Sequence, residues 1–140
     1  LKSIREEKGG TYGVGVRGAL DARPAEEYSL LIQFDTNEQM ADELSAIVVA
    51  EIEKIAAEGP LAEDMSKTRE FLVKDYTKQI KNNSYWTNAI NEYYKHNVDV
   101  VNGYEAAVES VTSEDVQALA KKILADGNLI KVVMRPEKAE

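Results

Sequence analysis

Arg5 and Tyr12 are the side chains in this sequence whose types and spacing could act on a carbonyl. Arginine is a permanent cation with a planar fork of donors, suited to a carbonyl or carboxylate oxygen. A tyrosine hydroxyl can donate to a developing oxyanion. In the run IREEKGGTYGVGV, Arg5 precedes the Gly9-Gly10 turn and Tyr12 follows it, so a helix end and a strand start joined there can aim both at one point. Spacing alone leaves a second reading open, with Arg5 solvated or paired with Glu6 or Glu7 and Tyr12 covering a core.

The neighbouring glycines suggest a different chemistry that the context excludes. Gly13, Gly15 and Gly18 spell G-x-G-x-x-G, and Asp35 follows about where a dinucleotide site places its acidic residue. Such a fingerprint needs a buried strand before its first glycine and a helix opening at its last. Here a polar segment precedes it, and ALDARP, a turn with a proline, follows. A bound phosphate would have no helix N-terminus to sit against. The glycines fit a strand instead, marking a bulge or a close approach of another backbone or ligand.

A zinc centre cannot be assembled from these residues. Catalytic zinc takes three protein ligands, and the H-x-x-E-H pattern needs two imidazoles and a carboxylate on one helix face. The sequence has one histidine, His96, which reads as a surface or helix-end residue, and no cysteine. The cofactor expectation for the chain itself is therefore none. Tyr85, Trp86, Tyr93 and Tyr94 could line a substrate chamber, although helical spacing favours core packing. The carboxylate pairs Glu6-Glu7, Glu26-Glu27 and Glu63-Asp64 read as solvated faces.

The elements that must position these groups follow from patterning. At 140 residues, 44% hydrophobic and 30% charged, the chain suits one cored domain. A net charge of −8 argues against nucleic acid and against anionic membrane surfaces. No apolar run approaches the roughly 18–20 residues of a membrane span. Residues 1–8 read as the last turns of a helix, 11–20 as a strand and 28–35 as a second strand, antiparallel to the first across a short connection. Thr36 or Asn37 can cap a helix that stops at Gly59-Pro60. A second helix runs from about Leu61 to a break at Asn82-Asn83-Ser84, and a third follows. A fourth opens on a capping box from Thr112 to Asp115 and ends at Gly127-Asn128. LIKVVM, 129–134, reads as a third strand. The order β-β-α-α-α-α-β gives an α+β fold, helices laid on one face of a small antiparallel sheet. The chain opens on Leu1 in what sounds like the middle of an element, so the expectation is a piece of a longer protein.

The segment with Arg5, Glu6, Gly9 and Tyr12 resembles the R-E-x-x-G-x-x-Y pattern in C-terminal domains of the pitrilysin/insulinase family of zinc metallopeptidases, the inverzincins. EIEKIAAEGPLAEDMSKTREFL resembles the family's helix, Gly-Pro break and next helix, and VTSEDVQALAKKIL with LIKVVMRPE its closing helix and strand. The resemblance covers nearly the whole chain and implies a pitrilysin/insulinase-type domain, truncated at its N-terminus, with residues 1–140 as its latter two-thirds. It further implies that zinc is bound by a different, N-terminal domain or subunit. Arg5 and Tyr12 would then reach the peptide substrate from the opposite wall, and the fragment alone would be inactive. An alternative of another class is a non-catalytic partner or core subunit. A third is an isolated acidic interaction module, monomeric and well folded, whereas a fragment should self-associate through an exposed apolar face. A bacterial periplasmic and a cytoplasmic location both stay open.

Overall fold

The computed structural model describes residues 13–21 and 24–135. Their fold is α+β, with two antiparallel strands followed by five helices. Contacts divide them into two compact units. One holds the described residues up to Lys54 and those from Ala120 onward, and the other holds Ile55–Leu119.

In the first unit, β1 (Val14–Asp21) pairs with β2 (Glu27–Phe34) in an unbroken register from Val14↔Phe34 to Asp21↔Glu27. Successive strand side chains alternate between faces, and directly opposed residues share one. Val14, Tyr28, Ile32 and Phe34 therefore lie together and are half-buried, while Gly15, Arg17, Ser29, Leu31 and Gln33 form an exposed second face. The expected bulge is absent, because every residue of β1 has a partner and neither Gly15 nor Gly18 takes a positive φ. Tyr28 donates its hydroxyl to Asp126, and the Lys122 ammonium sits 5.0 Å from its ring centroid. These contacts seat the end of a helix against the apolar face of the hairpin.

Asn37 performs the expected capping, its Oδ1 accepting the Met40 amide at 2.9 Å to start a 3-10 turn, Glu38–Met40. Helix α1 (Ala41–Glu58) continues from it and carries Leu44, the one large side chain fully buried among the described residues. It ends at Gly59, whose φ of +80° suits a residue without Cβ, and Pro60 follows.

The second unit contains α2 (Ala62–Gln79), α3 (Asn83–His96) and α4 (Tyr104–Ser110). Tyr76 stacks on Tyr104 at 4.5 Å and meets Tyr85 edge-on at 6.0 Å. Their hydroxyls reach the loop between α3 and α4: Tyr76 donates to the Val101 carbonyl and Tyr85 to that of Val100. Helix α4 is an element that the sequence reading lacks. Its seven residues give too few turns for periodicity to register, and it is fixed by Gly103 at φ +77° before it. Helix α5 (Ser113–Ala125) opens on the expected box: Thr112 Oγ1 accepts the Asp115 amide, and Asp115 Oδ2 accepts the Thr112 amide and hydroxyl.

The predicted third strand does not form among the described residues. Residues 129–134 are solvent-facing and have no ladder partner among the described residues. The β-order thus ends differently from expectation, with five helices and no closing strand. β-propensity reflects fit to a pleated surface rather than the presence of a neighbour, and β1 and β2 already pair with each other over their full length. What anchors this segment is charge. Lys131 Nζ meets Asp42 Oδ1 at 2.7 Å, and Arg135 reaches Asp42 at 3.1 Å and Glu38 at 3.5 Å.

Three carboxylates held by hydrogen bonds or ion pairs make a pH prediction. Lys131 holds the Asp42 carboxyl below its ordinary value, and hydrogen bonds from Asn102 and then Val101 do the same for Asp99. Bonds from Thr112 lower Asp115. A group whose folded pKa is depressed stabilises the fold above its unfolded value and loses that contribution as pH falls through the folded one. Helical ellipticity and melting temperature should therefore hold steady above about pH 4 and decline below it, toward the lowered folded-state values. Asp115→Ala should weaken part of that acid response by removing the box at the start of α5.

Candidate functional site

Arg5 and Tyr12, the residues singled out for chemistry, lie outside the described residues, as do Glu6-Glu7 and the Gly9-Gly10 turn. Strand β1 begins at Val14, two residues after Tyr12 in the sequence.

That strand presents an unusual surface on its polar side. A Cβ built on Gly13 would meet nothing within 4 Å, and one on Gly15 would meet only the Gln33 carbonyl, at an ordinary 3.7 Å. Packing among the described residues therefore does not require glycine at either position. At Gly15 the effect is to leave the backbone without a side chain on the face that also carries Arg17 and Gln33. Gln33 stands opposite Gly15, and Arg17 opposite Leu31, so the guanidinium and the carboxamide flank that bare backbone diagonally. Arg17 has no ion pair among the described residues. A guanidinium offers fixed donors, and a carboxamide offers both a donor and an acceptor. Together they match the alternating carbonyls and amides of an extended peptide. Reasoning from sequence passed over Arg17 and Gln33, although their shared parity with Gly15 was available once the strand register was known.

The other candidates resolve as follows. His96 is the last residue of α3, as expected of a helix-end residue. No cluster of three or more His, Asp or Glu suited to a metal occurs among the described residues. Glu26, Glu27, Glu63 and Asp64 are exposed, and Glu63 pairs with Lys67 one turn on. The aromatic group separates: Tyr85 is half-buried in its cluster, whereas Trp86, Tyr93 and Tyr94 face solvent rather than a core. On the second unit an apolar cleft of about 290 Å³ lies among Met65, Leu72, Tyr104, Val108 and Val116. At its edge Arg69 donates to the Val111 carbonyl at 2.5 Å, which satisfies a free carbonyl just past the end of α4. No helix among the described residues is long and apolar enough to cross a membrane.

The chain matches no family model and no curated protein. Among solved structures it is similar to the periplasmic protease PqqL from Escherichia coli, with 19% identity and a TM-score of 0.64. The likeness covers 86% of this chain and 14% of that one. At this identity it shows the fold: the α+β arrangement is one that a segment of a protease also takes.

Proposed function

We propose that this chain is the substrate-contacting part of a pitrilysin/insulinase-type zinc peptidase and acts on peptides from the wall opposite the metal. The observation that carries the reading is the R-E-x-x-G-x-x-Y run leading directly into β1 of a fold shared with a protease segment. Arg5 would bind a backbone carbonyl or carboxylate of the substrate, and Tyr12 would donate to the oxyanion as the peptide carbon becomes tetrahedral. The bare backbone at Gly15 with Arg17 and Gln33 would hold the flanking peptide in an extended form.

The residues of this chain do not fit a zinc site: it has a single histidine and no cysteine, and no suitable cluster occurs among the described residues. In this reading the metal belongs to another domain or subunit, and the 140-residue chain binds peptide without hydrolysing it. The periplasm of the structural neighbour is the compartment we assign to the larger protein.

Cleavage of a quenched peptide by the full-length protein, with and without a chelator, tests the reading. Full-length protein should cleave, chelation should abolish turnover, added zinc should restore it, and the isolated chain should be inactive throughout. A full-length protein that carries no zinc and cleaves nothing would move the assignment to a partner subunit of a separate zinc-bearing chain. Turnover indifferent to chelation would sink the zinc-peptidase reading itself.

A further inference from the structure

The second unit holds a divided cavity that the proposed peptidase role leaves unused. At about 100° per residue, helix α2 presents two stripes, and Arg69 stands at their boundary. On one side Met65 and Leu72 wall the apolar cleft of about 290 Å³ together with Val108 and Val111. On the other, an open recess of about 510 Å³ is lined by Ser66, Glu70, Lys74 and Thr77 of α2 and by Glu109 of α4. Arg69 lines both. Its Nη2 donates to the Val111 carbonyl, whereas its Nε–H is buried and has no acceptor. A buried donor left unpaired loses its hydration without compensation, so native structures keep few of them, and such a group points to an acceptor still to arrive. The charges of the recess are also uncommitted. Glu70 and Lys74 have the i,i+4 spacing at which Glu63 and Lys67 pair earlier in the same helix. Yet neither they nor Glu109 form an ion pair among the described residues.

We propose that this cavity binds the free C-terminal end of a short apolar peptide, its last side chain in the cleft and its carboxylate at Arg69 and Lys74. Each part of that ligand answers a part of the cavity. The apolar walls suit a side chain such as leucine, which gains by leaving water. The Arg69 fork and the Lys74 ammonium offer charge-assisted donors to a carboxylate, and Nε gains its acceptor. Glu70 and Glu109 then receive the amide N–H and the terminal ammonium of the peptide. Charge balance selects this occupant. Two cations and two carboxylates around one recess match a zwitterion. A fatty acid has the apolar body and the acid but gives Glu70 and Glu109 nothing, and a phosphate group brings them only repulsion. So small a ligand in an open site binds weakly, with Kd about millimolar.

Alanyl-leucine is the probe. Titrated into the purified chain and followed by amide NMR, it should shift resonances of α2 and α4, those of Leu72 and Val108 among them. Alanyl-leucine amide, which lacks the carboxylate, should bind at least about tenfold more weakly. N-acetyl-alanyl-leucine, which lacks the ammonium, and alanyl-lysine, which has no apolar end, should also lose affinity. Arg69→Gln should abolish binding, but Arg69 also holds the Val111 carbonyl. Lys74→Gln and Glu109→Gln change exposed residues, so each should weaken binding several-fold with the melting temperature unchanged. No shifts at a probe concentration on the order of 10 mM, or equal binding of the amide, would overturn the site. Octanoate or free leucine binding as tightly as the dipeptide would overturn the assignment of its occupant. None of these readouts involves zinc or peptide cleavage, so they stand or fall apart from the peptidase reading.

Discussion

Tyr12→Phe in the full-length protein should lower kcat for a quenched peptide by about 10²–10³, the usual effect of removing one oxyanion donor. The substitution deletes a hydroxyl and keeps the ring, so zinc content and melting temperature should stay at wild-type values. An interaction made only as the carbonyl oxygen gains charge is absent from the ground state. The loss should therefore appear in kcat with little change in KM. Arg5→Lys should behave differently. A lysine keeps the charge but loses the planar fork, and a residue that binds substrate in ground and transition states alike raises KM when weakened. The split separates the two proposed roles, donor to the oxyanion for Tyr12 and clamp on the peptide for Arg5. An unchanged rate in Tyr12→Phe would make Tyr12 a packing residue and favour the partner-subunit reading. A fall in rate accompanied by an equal fall in stability would say the same.

The fold was legible in the sequence wherever a local device determines it. Asn37, the Gly59-Pro60 stop and the Thr112–Asp115 box act within a few residues, and each does in the structure what its chemistry suggests. What escaped depends on neighbours. LIKVVM has the composition of a strand, yet a strand exists only against another strand, and nothing in six residues says whether one is there. Its actual anchor, cations on Asp42 and Glu38, joins residues some 89–97 positions apart and leaves no local trace. The α3 aromatics escaped for a related reason. A stripe at helical spacing looks the same whether a core or a partner will cover it, and only the exposures of Trp86, Tyr93 and Tyr94 distinguish the two. Of the proposed site, the motif names Arg5 and Tyr12, whereas Arg17 and Gln33 become visible only through the register that sets them beside Gly15.

Leu44→Ala should destabilise the chain by about 2–5 kcal/mol, the range for deleting a fully buried leucine side chain. Leu44 has no exposed surface and is the one large side chain so placed among the described residues. Melting followed by far-ultraviolet circular dichroism should fall on the order of 10 °C, since a marginal domain gives up a few degrees per kcal/mol. The informative controls are two more leucines. Leu20 is 83% exposed and Leu129 71%, so Leu20→Ala and Leu129→Ala should each stay within about 0.5 kcal/mol of wild type. The same deletion at three positions thus separates burial from residue type. A Leu129→Ala as costly as Leu44→Ala would mean that 129–134 is covered in solution, and the segment would regain the strand role its composition suggests.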